Sequence, residues 1–116
     1  MEEDLRAILV DGASRMGVEL DADAVTRFAT LLSLLQTWGR RINLTARLEG
    51  REIVIHHFLD SLAGFRFLRD EPDARVVDLG AGAGFPSFPL KFALTGLRIT
   101  LVESVRKKVS FCSEVI

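Results

Sequence analysis

One cysteine in 116 residues, Cys112, leaves no pair for an internal disulfide and cannot build a zinc site by itself. Neither sign of charge dominates: 15 basic and 16 acidic side chains give a net charge of −1. No global field therefore draws the chain to nucleic acid, and any RNA contact has to use a local patch. No apolar run reaches the roughly 20 residues that a membrane-spanning helix needs. The amino terminus is acidic (Glu2, Glu3, Asp4) rather than signal-like. A cytoplasmic location without membrane association is the plain reading, and Asn43-Leu44-Thr45, though it matches a glycosylation pattern, has no secretory context. With only three prolines and 48% hydrophobic residues, the chain is one domain's worth of foldable sequence.

The most informative segment is Arg75-Val76-Val77-Asp78-Leu79-Gly80-Ala81-Gly82-Ala83-Gly84-Phe85-Pro86. A short β-branched run of buried-strand character ends in an acid and opens into glycines at alternate positions. Glycines directly after a strand let the backbone turn sharply and approach a ligand with no Cβ in the way. Spacing narrows the ligand. A dinucleotide fingerprint needs a glycine at position 85, where Phe85 stands, and counted from Gly82 it fails at Ser87. No Gly-Lys-Ser or Gly-Lys-Thr follows, so the phosphate-cradling loop fails too. What remains, acid-x-G-x-G-x-G, resembles the first motif of S-adenosylmethionine (AdoMet) methyltransferases. An ordinary glycine-rich turn is the competing reading.

Leu97 to Glu103 forms a second apolar run that ends in a carboxylate. Glu103 follows Asp78 by about 25 residues, close to the spacing at which a strand-end acid binds ribose hydroxyls in α/β nucleotide folds. Taken alone, Glu103 is equally well a solvated strand-end acid.

Two regions emerge along the chain. Residues 1–70 read as helical, with a first stripe of Leu5, Ile8, Leu9, Ala13 and Met16 stopped by Gly17. Asp21 or Asp23 caps a longer helix carrying Val25, Phe28, Leu31, Leu32, Leu35, Trp38 and Ile42, closed by Asn43-Leu44-Thr45. A third helix runs from Glu49 or Gly50 through Leu62. Residues 71–116 read as strand (75–79), helix (86–94), strand (98–103) and helix (from 104). The expected class is α/β: amino-terminal helices, then the first two βα units of a sheet. Two such units cannot complete a doubly wound sheet, so the chain reads as the amino-terminal portion of something longer. The open edge beside Ile99–Val102 and the apolar faces of Phe88, Phe92 and Phe111 are expected to find a partner chain.

Further motifs stand in register with the glycine loop: Asn43-Leu44-Thr45-Ala46, His56-His57-Phe58-Leu59-Asp60-Ser61-Leu62, Phe88-Pro89-Leu90, and Glu103-Ser104 followed by Lys107-Lys108 and Phe111. In that order the chain resembles the glucose-inhibited division protein B family, the small-subunit ribosomal RNA methyltransferase G family, over nearly all its length. The resemblance implies a class I, Rossmann-like methyltransferase sheet, truncated here, and AdoMet-dependent methylation of guanine N7 in 16S rRNA, with free rRNA or the small ribosomal subunit as partner. It implies that Gly80, Gly82, Gly84 and Phe85 shape the loop around the cofactor and that Asp78 anchors its methionine end. Glu103 would hold the ribose hydroxyls, with Ser104 and Val105 on the adenine side. The stretch containing His57, Asp60 and Ser61 would line the cleft; no catalytic residue or metal ligand is assigned. Adjacent helical residues point about 100° apart, so one histidine can face the core and the other the cofactor cleft, while a helix-packing histidine bonded to backbone is the favoured reading for each taken separately. Where the family reads Gly-Phe-Pro-Gly, this chain has Gly84-Phe85-Pro86-Ser87, adding a side chain. Arg40, Arg41, Arg47 and Arg51, or Arg106, Lys107 and Lys108, are candidate phosphate contacts; a solvated charged face is the competing reading, and the favoured one for Arg40 and Arg41. Two other function classes stay open: an NAD-dependent oxidoreductase and a non-catalytic, self-associating domain.

Overall fold

The computed structural model describes residues 1–42 and 49–116. Helix α1 (Glu3–Arg15) buries Leu9 and Ala13 and stops where Gly17 takes φ +81°. There the Val18 N–H reaches the Ala13 carbonyl and the Gly17 N–H the Ser14 carbonyl, a double closure that needs a left-handed residue at Gly17. Val18 is buried as part of that closure. Met16, expected on the stripe, is instead 38% exposed, because the helix has already ended and its side chain lies beyond the packed face.

Helix α2 (Ala22–Ile42) is the spine of the core. Of the two possible caps, Asp21 is the one that acts: its Oδ1 accepts from the Ala24 N–H at 2.8 Å. Val25, Phe28, Leu31, Leu32 and Leu35 are buried along one face, as their spacing requires. The expected stop at Asn43-Leu44-Thr45 lies outside the described residues, as does Arg47.

Next come α3 (Gly50–Ile53), a π-helical stretch (Val54–Leu59) and α4 (Asp60–Leu62), continuous in sequence. Sequence periodicity implied one regular helix here; the wider i→i+5 turn is a departure that periodicity does not register. Helix α5 (Phe65–Leu68) leads to β1 (Arg75–Leu79), α6 (Ser87–Ala93), β2 (Arg98–Val102) and α7 (Arg106–Val115). Lys91, on α6, donates to the carbonyls of Thr95 and Leu97 and so closes the turn into β2.

The strands β1 and β2 pair in parallel, with Val76 opposite Ile99, Asp78 opposite Leu101 and Leu79 opposite Val102. Helices followed by a parallel pair is the α/β arrangement expected. Both strands alternate in burial, so one sheet face packs on the helices and the other is bare. Phe28 meets Phe58 and Phe92 at 5.0 Å each, and Trp38 meets Phe111 edge-on at 5.8 Å, fastening α2 to α6 and α7. One expectation is corrected in part. Phe111 is buried, whereas Phe88 and the half-buried Phe92 line a hollow shared with Ile99 and Leu101 of β2. More exposed apolar surface lies on the opposite sheet face, where Val77 and Leu79 are 61% and 77% exposed beside Val102.

Candidate functional site

The end of β1 fixes the start of the site. Gly80 and Ala81 donate their N–H groups to the Val102 carbonyl at 2.8 and 3.1 Å, carrying the loop across the tip of β2. Gly80, Gly82 and Gly84 all have positive φ, and a cis Phe85–Pro86 bond leads into α6. The three glycines do different work. A Cβ on Gly82 would meet nothing closer than the Gly80 carbonyl oxygen at 3.9 Å, and one on Gly80 nothing within 4 Å. Both positions therefore face open space that a side chain would fill. At Gly84 a Cβ would lie 2.1 Å from the ring of Phe88, so this glycine is required by packing beneath the loop.

Gly82 is held from both sides. Its N–H donates to Glu103 Oε1 at 2.7 Å, and its carbonyl accepts from Cys112 Sγ at 3.3 Å. The other Glu103 oxygen, Oε2, accepts from the Val105 N–H at 2.8 Å. Glu103 thus ties the glycine loop to the turn that opens α7. The N–H of Val105, then that of Gly82, hold its carboxyl below the ordinary value of 4.5, with Lys108 adding a smaller electrostatic push against desolvation. Cys112 is buried beneath the loop, and burial first, then the carboxylates of Glu103 and Asp78, push its thiol up. No sequence signal marked Cys112; it is buried beside Phe111 on α7 and reaches the loop through its thiol contact with the Gly82 carbonyl.

Asp78 leaves β1 on the helix-facing side of the sheet, and its Oδ2 accepts from the hydroxyl of Ser87. The loop thus leaves open space between an acid at each strand end and is tied to one of them, Glu103. Chemically, Asp78 can accept from a cationic donor, and Glu103 retains lone pairs for further donors. A cavity of about 720 Å³ lies between α2, α6, β2 and the end of α7, but Arg27, Lys91 and Arg98 are its charged side chains and no Asp or Glu lines it. That hollow lacks the chemistry of the loop.

The family model for rRNA small subunit methyltransferase G matches residues 24–116. The chain belongs to that family. It is 38% identical over 112 residues to the ribosomal RNA small subunit methyltransferase G of Alkaliphilus oremlandii, covering 97% of this chain and 47% of that protein. The corresponding proteins of Caldanaerobacter subterraneus and Dictyoglomus thermophilum are 43% and 40% identical, over 90% and 100% of this chain and 44% and 48% of theirs. The chain spans about half the length of the curated relatives it matches.

The residues singled out through the methyltransferase G resemblance are not all brought together. His57 is half-buried and stacks on Phe85 at 4.9 Å with 12° between the rings, so it abuts the loop's exit. His56 does not face the core as one histidine was expected to. It is exposed and pairs with Glu52 at 3.4 Å, because the successive side chains of the helical turn diverge. Asp60 is exposed, while Ser61 is buried. Ser104 and Val105 are exposed on the turn before α7, where their backbone rather than their side chains meets Glu103, Val105 most strongly. Arg40 and Arg41 are exposed at the end of α2, and Arg51 is exposed on α3. Arg106 and Lys107 are exposed in the first turn of α7, on the same side of the sequence as Glu103. Among the described residues no cluster of three metal-ligating side chains occurs, and no helix is long and apolar enough to cross a membrane.

Proposed function

We propose that this chain carries the glycine-loop half of an AdoMet site in an enzyme that methylates guanine N7 of 16S rRNA in the cytoplasm. The observation that carries this reading is the cradle itself: open Cβ directions at Gly80 and Gly82 beside a loop tied by Glu103. AdoMet would supply an electrophilic methyl group on a sulfonium, and guanine N7 offers an exposed lone pair, so the reaction needs little acid–base help. The protein's part is alignment, a contribution that reaches about 7–11 kcal/mol in well-oriented systems.

In this reading Gly80 and Gly82 admit the cofactor and Gly84 and Phe85 shape the loop's exit. Asp78 receives the ammonium group and Glu103 the ribose hydroxyls, with Ser104 and Val105 beside the adenine. His57 backs Phe85, with Asp60 and Ser61 on the same cleft wall. Residues 71–116 begin the cofactor domain, and residues 1–70 form the helical region that supports it. Arg106, Lys107 and Lys108 meet rRNA phosphates close to the reacting base.

The loop is open on its outer side, and the 116 residues correspond to about half of each relative. We therefore expect this chain alone to bind AdoMet weakly and to transfer no methyl group. Its bare Val77, Leu79 and Val102 face and unpaired strand edges would instead bring copies together. Calorimetric titration with AdoMet and with NAD separates the methyltransferase from the oxidoreductase reading. Binding of NAD in preference to AdoMet would refute it. Light scattering at micromolar concentration tests association, and a monomer that methylates 16S rRNA would refute both the inactivity and the self-association.

A further inference from the structure

We propose that Ser87 is a positioning residue: its buried hydroxyl holds the Asp78 carboxylate in the one orientation that receives a ligand's ammonium group. This rests on the cofactor reading of the loop. Ser87 is 3% exposed, one of two buried polar side chains among the described residues. Its hydroxyl donates to Asp78 Oδ2, and no other side chain or backbone group among the described residues donates to that carboxylate. Both ends of this contact are anchored. Asp78 is fixed by its strand register opposite Leu101, and Ser87 opens α6, whose Phe88 and Leu90 are buried.

A carboxylate on a strand end has free rotation about its last torsion unless something fixes it. With Oδ2 engaged by Ser87, the plane of the group is set and Oδ1 is left as the acceptor. An oriented acceptor binds a cation without the entropy loss of ordering it at the moment of binding. Ser87 also walls the 720 Å³ cavity on its other side, which places it at the partition between that hollow and the loop.

The test follows backbone amide shifts of Gly80 and Gly82 in the 116-residue chain during titration with AdoMet and with an analogue lacking the α-amino group. Such titrations read weak binding directly. Ser87→Ala should weaken AdoMet about tenfold, the lower end for a hydrogen bond to a charged group, and leave the analogue unchanged. Ser87→Cys, near in volume and a poor donor, should show the same selective loss. In an Asp78→Asn background, Ser87→Ala should add nothing. Equal losses for both ligands, or undiminished AdoMet affinity, would overturn the positioning role while leaving the cofactor reading standing. Wild-type chain that binds neither compound would overturn the cofactor reading itself and the proposal with it.

Discussion

Gly82 and Gly84 look alike in the sequence, and replacing each by alanine should have opposite consequences. At Gly82 the backbone has φ +57° and the new Cβ points into space, 3.9 Å from the nearest atom outside its chain neighbours. The stability loss is then only that of a left-handed non-glycine residue, about 1–2 kcal/mol. A domain with the usual ~5–15 kcal/mol of stability stays folded under that loss. AdoMet, however, would have to share the space with a methyl group, and binding should fall below detection. At Gly84 the backbone has φ +88° and the Cβ would sit 2.1 and 2.2 Å from two atoms of the Phe88 ring. That ring is buried and stacks near Phe92 at 6.4 Å, so moving it disturbs α6 and the contact with Phe28. Backbone strain and overpacking together should lower stability by about 2–5 kcal/mol. Urea unfolding followed by the fluorescence of Trp38, the chain's single tryptophan, measures both variants. If Gly82→Ala unfolds as readily as Gly84→Ala, or binds AdoMet like the parent, the division between a ligand-facing and a packing glycine is wrong.

Acid should open the loop through Glu103. Its carboxyl is lowered by the Val105 and Gly82 N–H groups, so the stabilisation is complete above the ordinary value of 4.5 and is lost as pH falls through the lowered one. The Gly82 and Val105 amide resonances should shift together in that acidic range and stay flat in Glu103→Gln; a Glu103 titration at or above the ordinary value would contradict the tie. Cys112 should resist thiol reagents near neutral pH, since burial and two carboxylates push its pKa up. Rapid labelling of the native chain, at the rate of a free thiol, would mean that the Gly82 carbonyl contact does not persist.

Much of this was legible in the sequence because the signals are local. The strand 75–79 and its glycines follow from β-branched residues giving way to residues that alone accept positive φ, and the α2 stripe follows from one strong period. The pairing of Glu103 with the loop was readable as a spacing but not as a contact. The sequence marked an acid at the strand end, and the structure adds that its two oxygens each accept a backbone N–H, from Gly82 and Val105, with lone pairs left over. What stayed hidden depends on tertiary placement. Nothing in an alternate-glycine pattern says which glycine lies under Phe88, and a serine beside a proline gives no sign that its hydroxyl meets an acid on β1. The same applies to the histidines: successive side chains of a helical turn diverge, but only the tertiary packing says that it is His57 that meets Phe85 and His56 that turns out to Glu52. The outward face was misjudged for a related reason. Phe111 has the hydrophobicity of a docking surface, but Trp38 of the long α2 helix already packs on it, and the most exposed apolar residues are Val77 and Leu79, on the outward face of β1 by strand alternation. Local sequence marks a residue's chemistry; which surface that chemistry serves is decided by what packs against it.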